Sequence, residues 1–324
     1  MARRGVDPVP CALTFSTASA MRARDLLDLV TLAALWGASF LFMRHAAPAF
    51  GPIALVQVRV TIAAAVLTIL LLLRGDRAAL RSHAAALGFV GVMNSALPFV
   101  LFTYATLYVT GGFAAILNST TPMWTALVGW VWLRERIRPL QWLGLGIGAA
   151  GVAGLLWGRL DFRLGSTQWQ VTLAIGAALL GALAYGTSAT FARKRLAGVP
   201  ALVVATGSQI AATVLLLPLA ATAWPERTPG IAAWASAIAL AVVCTALAYL
   251  LYFRLIARVG AVRAAAVTFL VPVFATFWGG IFLAEEVTLQ MLASGCVILT
   301  GTALALKLID TSNLRRGSAR PTAD

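Results

Sequence analysis

Residues Gly111–Glu135 read GGFAAILNSTTPMWTALVGWVWLRE, an apolar stretch of membrane-spanning length with a proline near its middle. Pro122 has no N–H, so the carbonyl of Asn118, four residues earlier, loses its helical partner. Within lipid a freed carbonyl persists only where protein or a water-lined cavity satisfies it. Asn118, Ser119, Thr120 and Thr121 gather at that level. The stretch recurs: shifted by 150 residues, Ala261–Glu285 reads AVRAAAVTFLVPVFATFWGGIFLAE. Pro272 falls on Pro122, Gly279 on Gly129, Leu283 on Leu133, Glu285 on Glu135 and Thr268 on Asn118. Both prolines read as helix breaks or hinges, each with a polar neighbour.

Outward from this stretch, apolar runs fill the chain. Hydrophobic residues make up 60% of 324, charged residues only 11%, and the mean hydropathy is +0.89. No soluble fold hides that much apolar surface, so the fold class is an all-α polytopic membrane protein. Ten runs approach the ~20 residues a spanning helix needs, at about 26–44, 53–73, 85–104, 111–133, 140–157, 169–192, 201–221, 231–253, 262–283 and 288–307. Pro48 and Pro52 punctuate the first gap, Pro139 the fourth, Pro200 the sixth, and Pro225 and Pro229 the seventh. The reading is a tail at 1–25, a five-helix unit at 26–157, a linker at 158–168, a second five-helix unit at 169–307 and a tail at 308–324. The first tail has no apolar core of a signal peptide. Met21, followed by Arg22 and Arg24, is a candidate start.

A net charge of +14 would point to nucleic acid in a soluble chain. Here the basic residues sit in short gaps between apolar runs. With the N-terminus in the cytoplasm, 20 of the 25 fall inside and four (Arg44, Arg159, Arg163, Arg227) outside. That bias places both termini in the cytoplasm. The remaining one, Arg59, lies inside the second span, about two turns from its outer end, and reads as a structural residue within snorkelling reach.

The repeat extends further, with a one-residue change of register. LWGASFLFMR in the first span aligns with AYGTSATFAR in the sixth at a shift of 149, pairing Trp36 with Tyr185, Gly37 with Gly186, Ser39 with Ser188 and Arg44 with Arg193. NSALPFVLF in the third aligns with CTALAYLLY in the eighth, and Arg59 falls on Gln209. Five spans is an odd number, so the second unit enters the membrane upside down. Inverted repeats are the architecture of secondary transporters, with one site near the midplane at the repeat interface.

Trp36-Gly37-Ala38-Ser39-Phe40 in the first span, with two copies of a mid-span proline helix ending in Leu-x-Glu, resembles the EamA type of the drug/metabolite transporter superfamily over residues 22–307. The resemblance implies a ten-helix carrier of the bacterial inner membrane. Such carriers often export amino acids or other small metabolites, from a cavity lined by helices 1, 3, 4, 6, 8 and 9.

The cavity candidates are Trp36, Ser39, Asn94, Asn118, Thr121, Trp124, Tyr185, Ser188, Thr245, Tyr249 and Thr268. Asn118 and Thr268 lie beside the freed carbonyls, and the competing role is interhelical glue. Trp36 and Tyr185 carry a polar tip on an aromatic body and stack on substrate or pack on neighbours. Glu135 and Glu285 either pair with nearby arginines, cap neighbouring helices or gate the path. Gly144 and Gly148 have GxxxG spacing, for close packing or a homodimer seam.

Enzymatic chemistry finds no footing. The two histidines, His45 and His83, read as loop residues, and no HExxH or GxxxxGK[ST] occurs. No metal and no cofactor is expected, and the expected partners are a small-molecule substrate and the lipid bilayer. All eleven acidic residues fall in tails, gaps or end turns of spans. This predicts a neutral, zwitterionic or largely apolar substrate without a mid-membrane carboxylate for proton exchange. Alternatives are a lipid-linked metabolite flippase, and a non-transporting sensor or assembly subunit.

Overall fold

The computed structural model describes residues 22–74, 77–157, 166–260, 264 and 267–305. The N-terminal tail with Met21, most of the 158–168 linker and the C-terminal tail lie outside the described residues. A chain this apolar satisfies its backbone within helices, and no β-strand forms among the described residues. Besides a short helix at Arg77–Ser82, the helices are α1 (Ala23–Phe50), α2 (Pro52–Arg74), α3 (Ala84–Ala105), α4 (Gly111–Asn118), α5 (Thr121–Leu133), α6 (Pro139–Leu156), α7 (Gln168–Arg195), α8 (Ala201–Thr222), α9 (Ile231–Val259), α10 (Val267–Leu283) and α11 (Leu289–Ala305). Seven of them, α1, α2, α3, α6, α7, α8 and α9, are long and apolar enough to cross a membrane. Helices α10 and α11 are shorter at 17 residues, and α4 and α5 share the predicted fourth span.

Pro48 does not end the first span. It lies inside α1, as do Arg44 and His45, and the gap narrows to Gly51 at φ +73°, where glycine is favoured. Ala46, Ala47 and Phe50 are buried on this last stretch, and their packing outweighs the cost of a proline near a helix end.

The two proline helices differ. The first breaks between α4 and α5, while α10 runs unbroken through Pro272, so the second predicted break does not occur. The residues before each proline explain this. Ser119, Thr120 and Thr121 donate from their hydroxyls to the carbonyls of Ile116 (2.6 Å), Leu117 (2.7 Å) and Asn118 (2.7 Å). They satisfy the backbone locally and let the helix open. The corresponding Phe269, Leu270 and Val271 carry no hydroxyl, so the chain keeps its helical bonds on either side of Pro272.

The two halves interlock. Helix α1 packs on α9 and α10, α7 on α3, α4 and α5, α8 on α2 and α3, and α11 on α6. Glycines permit the closest approaches. A Cβ on Gly37 would stand 2.6 Å from Cβ of Phe274, and one on Gly186 would stand 2.7 Å from the Thr125 backbone nitrogen. Sequence alignment already paired these two glycines. In each half the helix that opens the repeat therefore nests against the proline helix of the other half. Gly144 has Gly301 and Ala305 of α11 against it. The GxxxG face is covered by α11 and serves close packing within the chain.

Helices α3 and α9 each contain a π-helical turn, Val92–Ala96 and Val242–Leu247, in corresponding places. A π-turn loosens the carbonyl ladder and re-aims side chains, and such turns gather at functional sites.

Candidate functional site

The π-turns carry two of the predicted polar residues, Asn94 and Thr245, and Tyr249 follows on α9. On α9, Thr245 donates its hydroxyl to the Leu240 carbonyl at 2.8 Å, five residues back, and accepts from Nε of Arg59 at 2.9 Å. On α3, Ser95 accepts from Nε2 of Gln209 at 2.9 Å. Arg59 and Gln209 correspond in the repeat, and so do Thr245 and Ser95. One contact therefore occurs twice, each time from the second helix of one half to the π-turn of the other. Between the pairs, Asn94 donates to the Tyr249 hydroxyl at 3.0 Å.

The aromatic candidates follow the same duplication. Trp36 meets Tyr252 with ring centroids 5.2 Å apart, and Tyr185 stacks on Phe102 at 6.0 Å and 19°. Tyr252 falls on Phe102 in the repeat. Here Trp36 and Tyr185 pack on neighbouring rings, and between them these rings make the middle of the bundle apolar as well as polar.

Arg59 departs from its sequence reading. It does not snorkel: it is 5% exposed, and its guanidinium carbon lies 3.6 Å over the centroid of Phe99. The α2 face carrying it is buried from Ala54 to Val60, so the side chain has no route to the outer surface along its own helix. Its other contact is a long one, Nη1 to Sδ of Met43 at 3.8 Å, and sulfur is a weak acceptor. Among the described residues no carboxylate pairs with it. A cation over a ring contributes about 2 kcal/mol when desolvated, and a hydrogen bond to a charged group about 1.5–3 kcal/mol. Removing the ion from water costs several kcal/mol. The protein compensates this charge only in part. The one sequence signal was position: a basic residue inside a span whose repeat counterpart is a neutral amide.

Three more buried polar atoms lack a hydrogen-bond partner among the described residues: Oε1 of Gln209, Nε1 of Trp124 and Oγ of Ser39, which faces the Cys244 thiol. Ser188 is buried at the corresponding place on α7, and Thr268 is half-buried on α10. Asn118 and Thr121 meet at the α4–α5 break, where Thr121 also approaches Oδ1 of Asn118 at 3.4 Å. The strongest polar cluster, however, is at the two π-turns.

The two glutamates pair with arginines in both halves. Glu285 meets Arg44 at 2.6 Å, and Glu135 meets Arg193 at 2.9 Å. Each follows a residue in the left-handed conformation, Ala284 at φ 50° and Arg134 at φ 54°, and bonds back from its N–H to Gly279 or Gly129. Those glycines leave room for the carboxylate to fold over the last turn: a Cβ on Gly129 would stand 2.9 Å from Oε2 of Glu135. The two pairs differ in burial. Arg44 and Glu285 side chains are 15% and 4% exposed, against 55% and 48% for Arg193 and Glu135. Glu285 also accepts from the Gly111 N–H at the start of α4, where a carboxylate suits the helix dipole. Asp25 and Asp28, in the first turns of α1, pair with Arg254 and Arg258 of α9.

A cleft of about 570 Å³ lies apart from this centre. It sits between α1, α9 and α10, lined by Phe42, His45, Ser236, Trp278 and Phe282 among others, and holds none of the predicted site residues.

The chain matches the model of the EamA-like transporter family over residues 26–157 and 172–307. It is 27% identical over 288 residues to an uncharacterized transporter, YvbV, of Bacillus subtilis, covering 87% of this chain and 92% of that one. It is 26% identical over 277 residues to a probable terminal-alkyne amino-acid exporter of Streptantibioticus cattleyicolor, covering 85% and 91%. Protein PagO of Salmonella typhimurium is 28% identical over 265 residues, covering 79% and 84%. A crystal structure with 21% identity superposes with a TM-score of 0.63 over 92% of this chain and 100% of that one, a likeness of fold. With family matches in both halves flanking the linker, and paired contacts repeating at the same period, this multi-pass membrane protein belongs to the EamA-like transporter family.

Proposed function

We propose that this chain is a secondary transporter that exports amino acids or related small neutral or zwitterionic metabolites across the bacterial inner membrane by alternating access. The supporting observation is the doubled polar contact at the π-turns, Arg59 to Thr245 and Gln209 to Ser95. It is a polar, aromatic-flanked centre at the junction of two repeats, where carriers of this design hold substrate. In this reading the chain crosses ten times, as two inverted five-helix units, with both termini cytoplasmic. The amino-acid class rests on one relative's name and on aromatic rings beside polar groups.

The test is reconstitution into liposomes with labelled amino acids, nucleosides and sugars. Amino acids are the class expected to move. Asn118→Ala, Thr268→Val, Trp36→Ala and Tyr185→Ala are each expected to reduce turnover at least several-fold while the protein still reaches the membrane, and Trp142→Ala to leave it near wild type. Equal rates for all five variants would place the path elsewhere. A flippase of a lipid-linked metabolite is the second reading, favoured by the cleft between α1, α9 and α10 whose lining includes exposed Phe282 and His45. Movement of a lipid-linked reporter, with none of the free metabolites, would select it.

A further inference from the structure

We infer that Arg59 is the binding group for a carboxylate on the transported molecule. This rests on the reading of the bundle centre as the substrate site, and it narrows the substrate from neutral or zwitterionic to one carrying a carboxylate beside an apolar or aromatic body. Three observations carry it. First, the guanidinium is buried with no carboxylate beside it among the described residues. The acidic residues described elsewhere are engaged at helix ends: Asp25 and Asp28 with Arg254 and Arg258, Glu135 with Arg193, Glu285 with Arg44. Glu226 and Glu286 lie in connections, at 226 between α8 and α9 and at 286 between α10 and α11. Second, its donors are underused. Nε is held by Thr245, Nη1 has only a sulfur at 3.8 Å, and Nη2 has no protein acceptor among the described residues. The Nη1–Nη2 edge is the fork that takes a carboxylate in two parallel hydrogen bonds. Third, the neighbours suit an organic anion. Phe99 lies under the guanidinium, with Tyr185 and Phe102 beyond it. Gln209, at the equivalent place in the other half, keeps a buried Oε1 with no donor among the described residues, an acceptor for an ammonium group on the same molecule.

The duplication sharpens the inference. The two helices α2 and α8 make the same bond to the same kind of hydroxyl on a π-turn. A glutamine performs that structural task in one half, so the positive charge in the other half is not required for it. The charge is the difference between the halves, and an anion is what a charge at this place recognises.

The experiment uses the full-length protein in detergent and measures thermal unfolding with benzoate, with benzamide (the same shape without the charge) and with phenyl phosphate. Benzoate is expected to raise the melting temperature of the wild type, and benzamide to leave it unchanged. In Arg59→Gln the benzoate shift should vanish, its apparent Kd rising about tenfold or more for the loss of a charge-assisted pair. Arg59→Lys should keep a weaker shift, and it serves if Arg59→Gln does not fold. A merely structural arginine would lower the baseline melting temperature in both variants without altering the benzoate increment. Equal shifts by benzoate and benzamide, an equal benzoate shift in Arg59→Gln, or no shift in the wild type would each overturn the inference. A larger shift with phenyl phosphate would overturn the carboxylate assignment in favour of a phosphate ester. Because the readout is binding, it stands apart from the liposome assay: failure of every free metabolite to move would count against export and leave the Arg59 result intact.

Discussion

At the scale of single residues, position in the repeat separates packing from recognition. Gly37 and Gly186 are packing residues, since each admits the backbone of a proline helix from the other half. Gly37→Ala puts a methyl 2.6 Å from Phe274 Cβ and 2.8 Å from the Ala275 nitrogen. The overpacking should cost about 1–3 kcal/mol. Gly146→Ala has open space around it and should be neutral or slightly stabilising, because alanine is the better helix former. Thermal unfolding of the two variants in one detergent checks the contrast. Arg59 is the opposite case, for its structural bond is one that glutamine makes in the other half.

At the scale of elements, the Leu-x-Glu helix ends act as latches of unequal strength. Breaking a buried, hydrogen-bonded ion pair from one side typically costs about 3–5 kcal/mol, whereas an exposed pair contributes about 0–1 kcal/mol. Glu285 is 4% exposed in its side chain, holds Arg44 and accepts the first N–H of α4. Glu135 is 48% exposed and holds Arg193. Glu285→Gln is therefore expected to lower the melting temperature clearly, and Glu135→Gln to change it little. Comparable losses would show that the two ends are equally tight, contrary to the burial seen here.

For the whole molecule, orientation and coupling are the measurable properties. Single cysteines near Arg195 should react with an impermeant reagent from the cytoplasmic side, and those near Glu226 from the outside, as the basic-residue bias requires. The reverse pattern, or termini on opposite faces, would refute the inverted arrangement of two five-helix units. Coupling follows from where the acids lie. Those described are at helix ends or in connections, and the four in the ion pairs already have arginine partners. No described carboxylate stands at the π-turns to exchange proton for substrate. Efflux from proteoliposomes is thus expected to be the same with and without an imposed pH gradient at constant membrane potential. Proton movement in fixed stoichiometry would contradict this and turn attention to Glu135, the more exposed glutamate.

The sequence by itself determined the class of fold and the equivalence of the halves. Hydropathy is summed over many residues, and the internal repeat brings Pro122 onto Pro272 at a shift of 150 and Gly37 onto Gly186 at a shift of 149 without any knowledge of contacts. It also placed Asn94, Thr245 and Tyr249 among the candidates, and it offered arginine pairing as a role for Glu135 and Glu285. Only the tertiary structure decided the rest. The π-turns leave no residue pattern, because they are a change of hydrogen-bond register within an otherwise helical run. That Pro122 breaks its helix and Pro272 does not depends on whether hydroxyls stand ready to take the freed carbonyls. Arg59 is buried within the bundle because α2 packs on all sides there, with Phe99 of the next helix under the guanidinium and Thr245, from the other half of the chain, on its Nε. A residue's depth along its own span is local and legible, whereas its neighbours across the bundle are fixed by packing between the two halves.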